Sequence, residues 1–325
     1  MRRFWGCRSF LSPWINENGE PQFYGRGNLG VTTLNLIHIA LSSKGDMEEF
    51  WKIFENRMEL AKESLMLRYE KLRGVKASVA PILWQHGVFA RLNADDEIIS
   101  QVEKGKFSIS LGYSGIYETV KYMTGVSHTT EEGNKFAKEV LSYMNKKIEE
   151  WKEETGLGFG LYGTPQESTT GFFSDKLKSQ FGEIPDITDK GYVTNSYHVD
   201  IRENINAFDK LRIESELQKL SLGGNVSYIE VDNMEHNLEA LEQVVDYIYD
   251  NNIYAEINTE SDVCGVCHYS GKMNNDSETL DWVCPQCGNK DQNKLSVVRR
   301  VCGYLGETHW SKGRKLDILN RVKHL

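Results

Sequence analysis

The chain has 325 residues, 39% of them apolar and 26% charged, with 38 basic against 47 acidic side chains and a net charge of −9. That length can bury a substantial core as one large domain or two smaller ones, and the composition is that of a globular protein. An acidic balance argues against non-specific nucleic-acid binding, which needs clustered Lys and Arg, and no run of 18 apolar residues offers a membrane span.

Met1-Arg2-Arg3-Phe4-Trp5 is basic, but no apolar stretch of signal length follows it, so a cytoplasmic protein is expected. Through about Ser43 the chain is rich in Gly, Asn and Pro, turning apolar between Val31 and Leu41. Phe50, Phe54, Met58, Ala61 and Leu65 at 3–4 spacing predict a helix over 46–73, with Asp46 as N-cap and Gly74 as its stop. Residues 107–111 read as a short strand entering Gly112-Tyr113-Ser114-Gly115. Phe136, Val140, Met144, Ile148 and Trp151 predict a second helix over 131–155, closed by Gly156, with a strand over 157–162. The pattern repeats as a helix over 208–222 ending at Gly223-Gly224, a strand over 226–231, a helix over 238–249 and a strand over 253–257. Strands alternating with helices of this length imply an α/β architecture with largely parallel strands. No internal repeat or low-complexity linker interrupts it. Near Ser261 the composition turns to Cys, Gly and Asn, which gives expected domains of 1–260 and 261–325.

Six cysteines in a long chain without a signal are not a disulfide framework, so reduced thiols or thiolates are expected. Four of them form Cys264-x-x-Cys267 and Cys284-x-x-Cys287, separated by 16 residues. That is zinc-ribbon spacing: each pair makes a knuckle and presents two thiolates to one tetrahedral ion. Gly265 and Gly288 give the knuckles backbone freedom and Pro285 stiffens the second. Zn2+ is the expected occupant, with an iron–sulfur cluster as the alternative. Four thiolates close the coordination sphere, so the site is structural and His268 is not needed as a ligand.

Gly303 stands 16 positions beyond Cys287, within Arg300-Val301-Cys302-Gly303-Tyr304-Leu305-Gly306. A glycine Cα radical is stabilised by its flanking amides, and no side chain obstructs it; the other reading is a tight turn that needs positive φ. Near the start, Phe4-Trp5-Gly6-Cys7-Arg8-Ser9-Phe10 places Cys7 in a glycine-flanked loop. Its S–H bond is weak enough to give hydrogen to a glycyl radical; a small buried hydrophobe is the plainer fate of a lone Cys. In Gly25-Arg26-Gly27-Asn28-Leu29-Gly30, Asn28 is either a turn-former between glycines or an amide that donates to and accepts from a ligand. Thr164, Gln166, Glu167 and Ser168 follow a strand and open a helix. Free amides there suit phosphate, while a simple N-cap with Glu behind it explains the same residues. Ser114 and Tyr117 are further pocket candidates, with core packing the favoured reading of Tyr117.

Taken in this order, these motifs resemble the C-terminal part of an anaerobic (class III) ribonucleoside-triphosphate reductase, a glycyl radical enzyme. The resemblance spans essentially the whole chain and is densest at 4–35 and 261–306. It implies the second half of a ten-stranded α/β barrel, with a cysteine finger loop between the halves, followed by a small zinc-ribbon and glycyl radical domain. It also implies that a separate radical-SAM activase draws hydrogen from Gly303, where oxygen would then cleave the chain. The radical would pass to Cys7, whose thiyl takes the C3′ hydrogen of a ribonucleoside triphosphate. The 2′-hydroxyl leaves as water and formate supplies the electrons, giving deoxyribonucleotides for DNA replication. By the same resemblance Asn28 faces the ribose, and the assembly is dimeric.

One departure stands out: six residues precede Cys7, where the family carries a first half-barrel, an allosteric nucleotide region and much of the dimer contact. The expectation is one piece of a split reductase that assembles with a separate N-terminal polypeptide, a truncated chain being the other explanation. Two further readings compete. A glycyl radical enzyme with another substrate, such as an acyl or diol lyase, would not pair its radical with this ribbon. A zinc-ribbon interaction module would need neither Cys7 nor Gly303.

Overall fold

The structure is a computed structural model describing residues 3–5, 8–11, 14–16, 18–103, 105–166, 169–260, 262–276, 278–301, 304–306 and 310–325. The chain opens with an antiparallel pair, β1 (Arg3–Trp5) and β2 (Ser9–Leu11), then a smaller one, β3 (Trp14–Ile15) and β4 (Pro21–Gln22). Next β5 (Gly27–Asn35) runs through α1 (Leu36–Ser42) into the long α2 (Met47–Glu70). After α3 (Pro81–Trp84) come β6 (Phe107–Ser114), α4 (Ile116–Thr124), α5 (Glu131–Thr155), β7 (Gly158–Gly163) and α6 (Thr169–Phe181). An irregular segment over 182–206 leads to α7 (Ala207–Gln218), β8 (Ser227–Glu230), α8 (Leu238–Asn251) and β9 (Ala255–Asn258). Four two-residue strands follow: β10 (Val263–Cys264), β11 (Asn274–Asn275), β12 (Trp282–Val283) and β13 (Leu295–Ser296). The chain closes with the antiparallel pair β14 (Arg299–Val301) and β15 (Tyr304–Gly306), then α9 (Lys312–Asn320).

Strands β5, β6 and β7 are parallel, with Leu34 beside Tyr113 and Leu111 beside Leu161. β8 and β9 form a second parallel pair, with Ile229 beside Ile257. A parallel bridge between Tyr162 and Gly224 joins the two sets, supported by Gly163 N–H to Gly224 O at 2.9 Å and Gly223 N–H to Leu161 O at 2.7 Å. The result is a run of five parallel strands in sequence order, the arrangement expected of half a barrel. Seven of the eight residues of β6 are buried, as a central parallel strand covered on both faces requires. Among the described residues no strand pairs with the outer edge of β5 or of β9.

The two long helices bury the stripes their spacing predicts. Phe50, Phe54, Met58, Ala61 and Leu65 of α2 share one core with Phe136, Val140, Met144, Ile148 and Trp151 of α5. Each such large side chain contributes about 1.5–3 kcal/mol relative to exposure. The Asp46 carboxylate accepts the Glu49 N–H at 2.8 Å, capping α2, and Gly156 closes α5 at φ 69°.

Three predicted boundaries move: β6 runs on through Gly112-Tyr113 to Ser114 instead of stopping at 111, and α2 ends at Glu70, before the expected stop at Gly74. Helix α7, the third, ends at Gln218, short of the glycine pair, and a turn carries the chain to Gly223-Gly224. Those glycines let the backbone lie directly against β7: a Cβ on Gly223 would stand 2.7 Å from Leu161 O. They act as a strand contact rather than a helix stop. Helices α1, α3, α4 and α9 are absent from the sequence reading. No helix among the described residues is long and apolar enough to cross a membrane.

Candidate functional site

The β1–β2 pair lies against the junction of β7 and β8. Phe10 N–H donates to Gly223 O at 3.0 Å, and Ser9 bridges antiparallel to Gly224. Gly224 holds φ 150°, and a Cβ there would meet Arg8 O at 2.4 Å and the Tyr162 ring at 2.5 Å. Arg8 is fully buried, donating from Nη1 to Gly163 O at 3.2 Å and from Nη2 to the Tyr228 hydroxyl at 2.6 Å. The Arg26 guanidinium donates to Leu11 O at 2.7 Å and so ties down the end of β2. Cys7, between β1 and Arg8, lies outside the described residues. Its immediate framework is nevertheless fixed to the strand ends by a buried arginine and a glycine pair, neither of which the sequence marked as functional.

Asn28 faces the same hairpin. Its Nδ2 donates to Ser110 Oγ at 2.8 Å and reaches Ser9 Oγ at 3.5 Å, while Oδ1 accepts the Gly30 N–H at 2.7 Å. Asn28 thus shapes the bulge in β5 and turns its amide toward the hairpin. Thr164 follows β7 and shares a hydroxyl contact of 2.9 Å with Thr33. Gly112 makes room for that pair, since a Cβ there would stand 2.1 Å from Thr164 Oγ1. Gln166 is 3% exposed and its N–H donates to Asn195 Oδ1 at 2.9 Å, yet neither polar atom of its carboxamide has a partner among the described residues. Ser114 Oγ, fully buried at the end of β6, is likewise unpartnered. Glu167 and Ser168 lie outside the described residues. Buried polar groups without partners are expensive, and these stand at C-terminal strand ends, where parallel α/β proteins bind ligands.

Tyr117 packs in the interior at 4% exposure, as the plainer reading had it. Its ring covers Lys190, whose Nζ bonds Glu118 Oε1 at 2.6 Å and Asp200 Oδ2 at 2.5 Å. All three charged side chains are at most 1% exposed. Burial pushes the Asp200 carboxyl up, but Lys190 and Arg202 outweigh it and hold the pKa below the usual value. This cluster anchors the irregular 182–206 segment behind the ends of β6 and β7. Two buried imidazoles stand nearby. Burial lowers His128 to about 4, and burial with the cations Arg8 and Lys210 lowers His198 well below its usual value. Both are therefore neutral at ordinary pH. Their Nε2 atoms, facing the carbonyls of Tyr197 at 3.1 Å and Val226 at 2.7 Å, carry the proton.

The four sulfurs of Cys264, Cys267, Cys284 and Cys287 lie within 4.8 Å of one another. Cys264 to Cys287 is 3.7 Å and Cys267 to Cys284 is 3.6 Å. A tetrahedral ion with Zn–S bonds of ~2.3 Å sets sulfurs about 3.8 Å apart, so the cluster fits such an ion. Burial opposes ionisation of Cys264, yet the N–H groups of Cys267 and Val266 and the neighbouring sulfurs bring it down to about 6. A small apolar cluster of Met273, Trp282, Leu295, Val297 and Ile318 backs these cysteines, separate from the barrel core.

Strands β14 and β15 pair from Arg299 with Gly306 to Val301 with Tyr304; Cys302 and Gly303 between them lie outside the described residues. Asp262, fully buried, accepts both guanidinium arms of Arg299, one at 2.8 Å, and also the Met273 N–H at 2.8 Å. That fork ties the strand leading to Gly303 to the cysteine ribbon. Arg300 pairs with Glu256 of β9, tying the same strand to the barrel. Sequence reasoning missed Asp262 and Glu256, whose partners are remote in the chain.

The family model described as anaerobic ribonucleoside-triphosphate reductase matches residues 2–324. The anaerobic ribonucleoside-triphosphate reductase of Escherichia coli (strain K12) is 44% identical over 326 aligned positions, covering 98% of this chain and 46% of that protein. The enzyme of that name from Enterobacteria phage T4 is 40% identical, covering 98% of this chain and 52% of that protein. The chain thus spans about half the length of the curated relatives it matches. The crystal structure of the anaerobic ribonucleotide reductase from Thermotoga maritima with glycerol in its active site is similar in fold, with TM-score 0.63, 23% identity, and coverage of 91% of this chain and 44% of that one. Parallel half-barrel, finger hairpin and four-cysteine cluster stand in the order of the motifs read from the sequence, and the chain belongs to the anaerobic ribonucleoside-triphosphate reductase family.

Proposed function

We propose that this chain supplies the radical-bearing half of an anaerobic ribonucleoside-triphosphate reductase. The observation that carries this reading is the finger: β2 is bonded to the glycine pair at the β7–β8 junction, and Ser9 lies beside Asn28. Arg8 and Ser9, the described residues that follow Cys7, thereby lie against the strand ends, where Gln166 and Ser114 bury polar atoms with no partner among the described residues. In this reading Gly303 holds the unpaired electron and takes the hydrogen of the Cys7 thiol. The Cys7 thiyl then removes the C3′ hydrogen of the ribose and later returns it. The 2′-hydroxyl leaves with a proton as water, C2′ gains a hydrogen in its place, and formate, losing its hydrogen and two electrons, departs as carbon dioxide. Asn28 orients the ribose, and Thr164, Gln166, Glu167 and Ser168 hold the phosphates. Zn2+ bound by Cys264, Cys267, Cys284 and Cys287 organises residues 261–325 as a unit distinct from 1–260.

The two open edges of the five-stranded sheet call for complementary strands, which the relatives' additional length would provide. We infer that these come from a partner first half-barrel, whether joined to this chain or separate from it, in a cytoplasmic, dimeric assembly activated by a radical-SAM enzyme. The test is anaerobic reconstitution with the activase, with and without that partner, followed by electron paramagnetic resonance. A doublet lost in Gly303→Ala is expected, with turnover but not the doublet lost in Cys7→Ser. No radical in the complete, metal-loaded assembly would sink the catalytic reading.

A further inference from the structure

We propose that residues 317–324 clamp the β14–β15 hairpin onto the end of β8, with Arg321 and His324 as positioning residues for the Gly303 loop. The hub is Glu230, the last residue of β8. Its backbone N–H donates to His324 Nδ1 at 2.8 Å, and its carbonyl accepts the His324 N–H at 2.8 Å. His324 O accepts the Ala207 N–H at 3.0 Å, and Val322 N–H donates to Ile201 O at 2.9 Å. The tail is thus stitched to three separate segments of the barrel in the manner of an added strand.

Arg321 carries the clamp across to the hairpin. Its Nη1 donates to Glu230 Oε1, its Nε to Asp317 Oδ1 and its Nη2 to the backbone carbonyl of Arg300, each at 3.1 Å. One planar guanidinium therefore joins β8, α9 and β14, a geometry that Lys cannot reproduce. A cavity of about 50 Å³ lined in part by Tyr192, His198, Lys210, Arg300 and His324 lies beside β14. Among the described residues, the contacts that hold the hairpin include the Arg299–Asp262 fork, the Arg300–Glu256 pair and this clamp. His324 is 7% exposed, which is not the state of a frayed terminus. The clamp itself stands on these contacts; its bearing on radical chemistry rests on the reading of Gly303 given above.

Hydrogen–deuterium exchange on the full, metal-loaded chain tests the clamp in Arg321→Ala, Arg321→Lys, His324→Ala and His324→Asn. In both Ala variants the amides of 299–301 and 304–306 should exchange at least about tenfold faster, with 263–288 unchanged, as expected for local opening. His324→Asn, whose Oδ1 can accept the Glu230 N–H, should restore most of the protection. Unchanged exchange over 299–306, or loss of protection spread evenly over ribbon and barrel, overturns the proposal. Should Arg321→Ala fail to fold, Arg321→Lys decides: it keeps the charge but not the fork, and full protection there also overturns the clamp. In the activated assembly, a loosened hairpin should shorten the lifetime of the doublet, and an unchanged lifetime would refute the positioning role. A wild-type assembly with no doublet would instead refute the radical reading and leave the exchange result standing.

Discussion

Gly224 shows how much one missing Cβ decides. At φ 150° a side chain is strained whatever the space, and here the backbone of Arg8 and the ring of Tyr162 already occupy it. Gly224→Ala should cost roughly 2–4 kcal/mol, as overpacking at a special backbone conformation does. Urea unfolding would show it, and a loss below about 0.5 kcal/mol would mean that the finger does not seat as described. Gln166 is the converse, a side chain whose space is ready but whose bonds are not. Leaving a buried polar group unpaired costs about 1–3 kcal/mol, a cost that a ligand removes. At this scale the sequence was legible where chemistry is local: cysteine spacing, and a glycine or a cysteine inside a motif. Arg8 and Arg321 were not legible, because their partners Tyr228 and Glu230 lie 220 and 91 positions away.

Among the elements, α5 was readable to the residue, because an apolar stripe and a glycine stop agree, whereas α2 keeps its Asp46 cap but ends at Glu70 with Lys71 as C-cap, short of the expected stop at Gly74. The four-residue strands β8 and β9 were readable because they alternate with the helices α7 and α8. The segment 182–206 was not: its path is set by Lys190 meeting Glu118 and Asp200, a tertiary fact with no period in the sequence. The cysteine ribbon is the element most dependent on something other than packing. Its two-residue strands and few apolar residues supply little burial, so a metal held by its four cysteines would contribute much of its stability. Chelation should unfold 262–297, raise the exchange of its amides and expose four reactive thiols, while the far-ultraviolet helical signal stays nearly constant. A parallel collapse of helicity would show that ribbon and barrel fold as one unit.

For the whole molecule, acid is the condition that tests the interior. His324 is lowered to about 3 by burial, reinforced by Lys210, and joins His128 and His198 as neutral buried imidazoles. Unfolded histidines take up protons near pH 6.5, so below that value the unfolded state binds more protons than the folded one. Stability is therefore at its plateau above about pH 6.5 and falls as pH drops toward the depressed folded values, by up to about 1.4 kcal/mol per histidine per pH unit. Unfolding free energies at pH 7.5, 6 and 5 should decline across that window, and His128→Asn should flatten the slope; a profile level to pH 5 would contradict the buried, neutral state.

The contact between α6 and α9 reaches further. A Cβ on Gly313 would stand 2.5 Å from Gly171 Cα, so backbone meets backbone with no side chain between to absorb a shift. One helix begins three residues after Gln166; the other carries Asp317 and leads into Arg321. If a ligand at the start of α6 shifts that helix and with it the docking of α9, linkage requires the docking of α9 to change that ligand's affinity by the same factor.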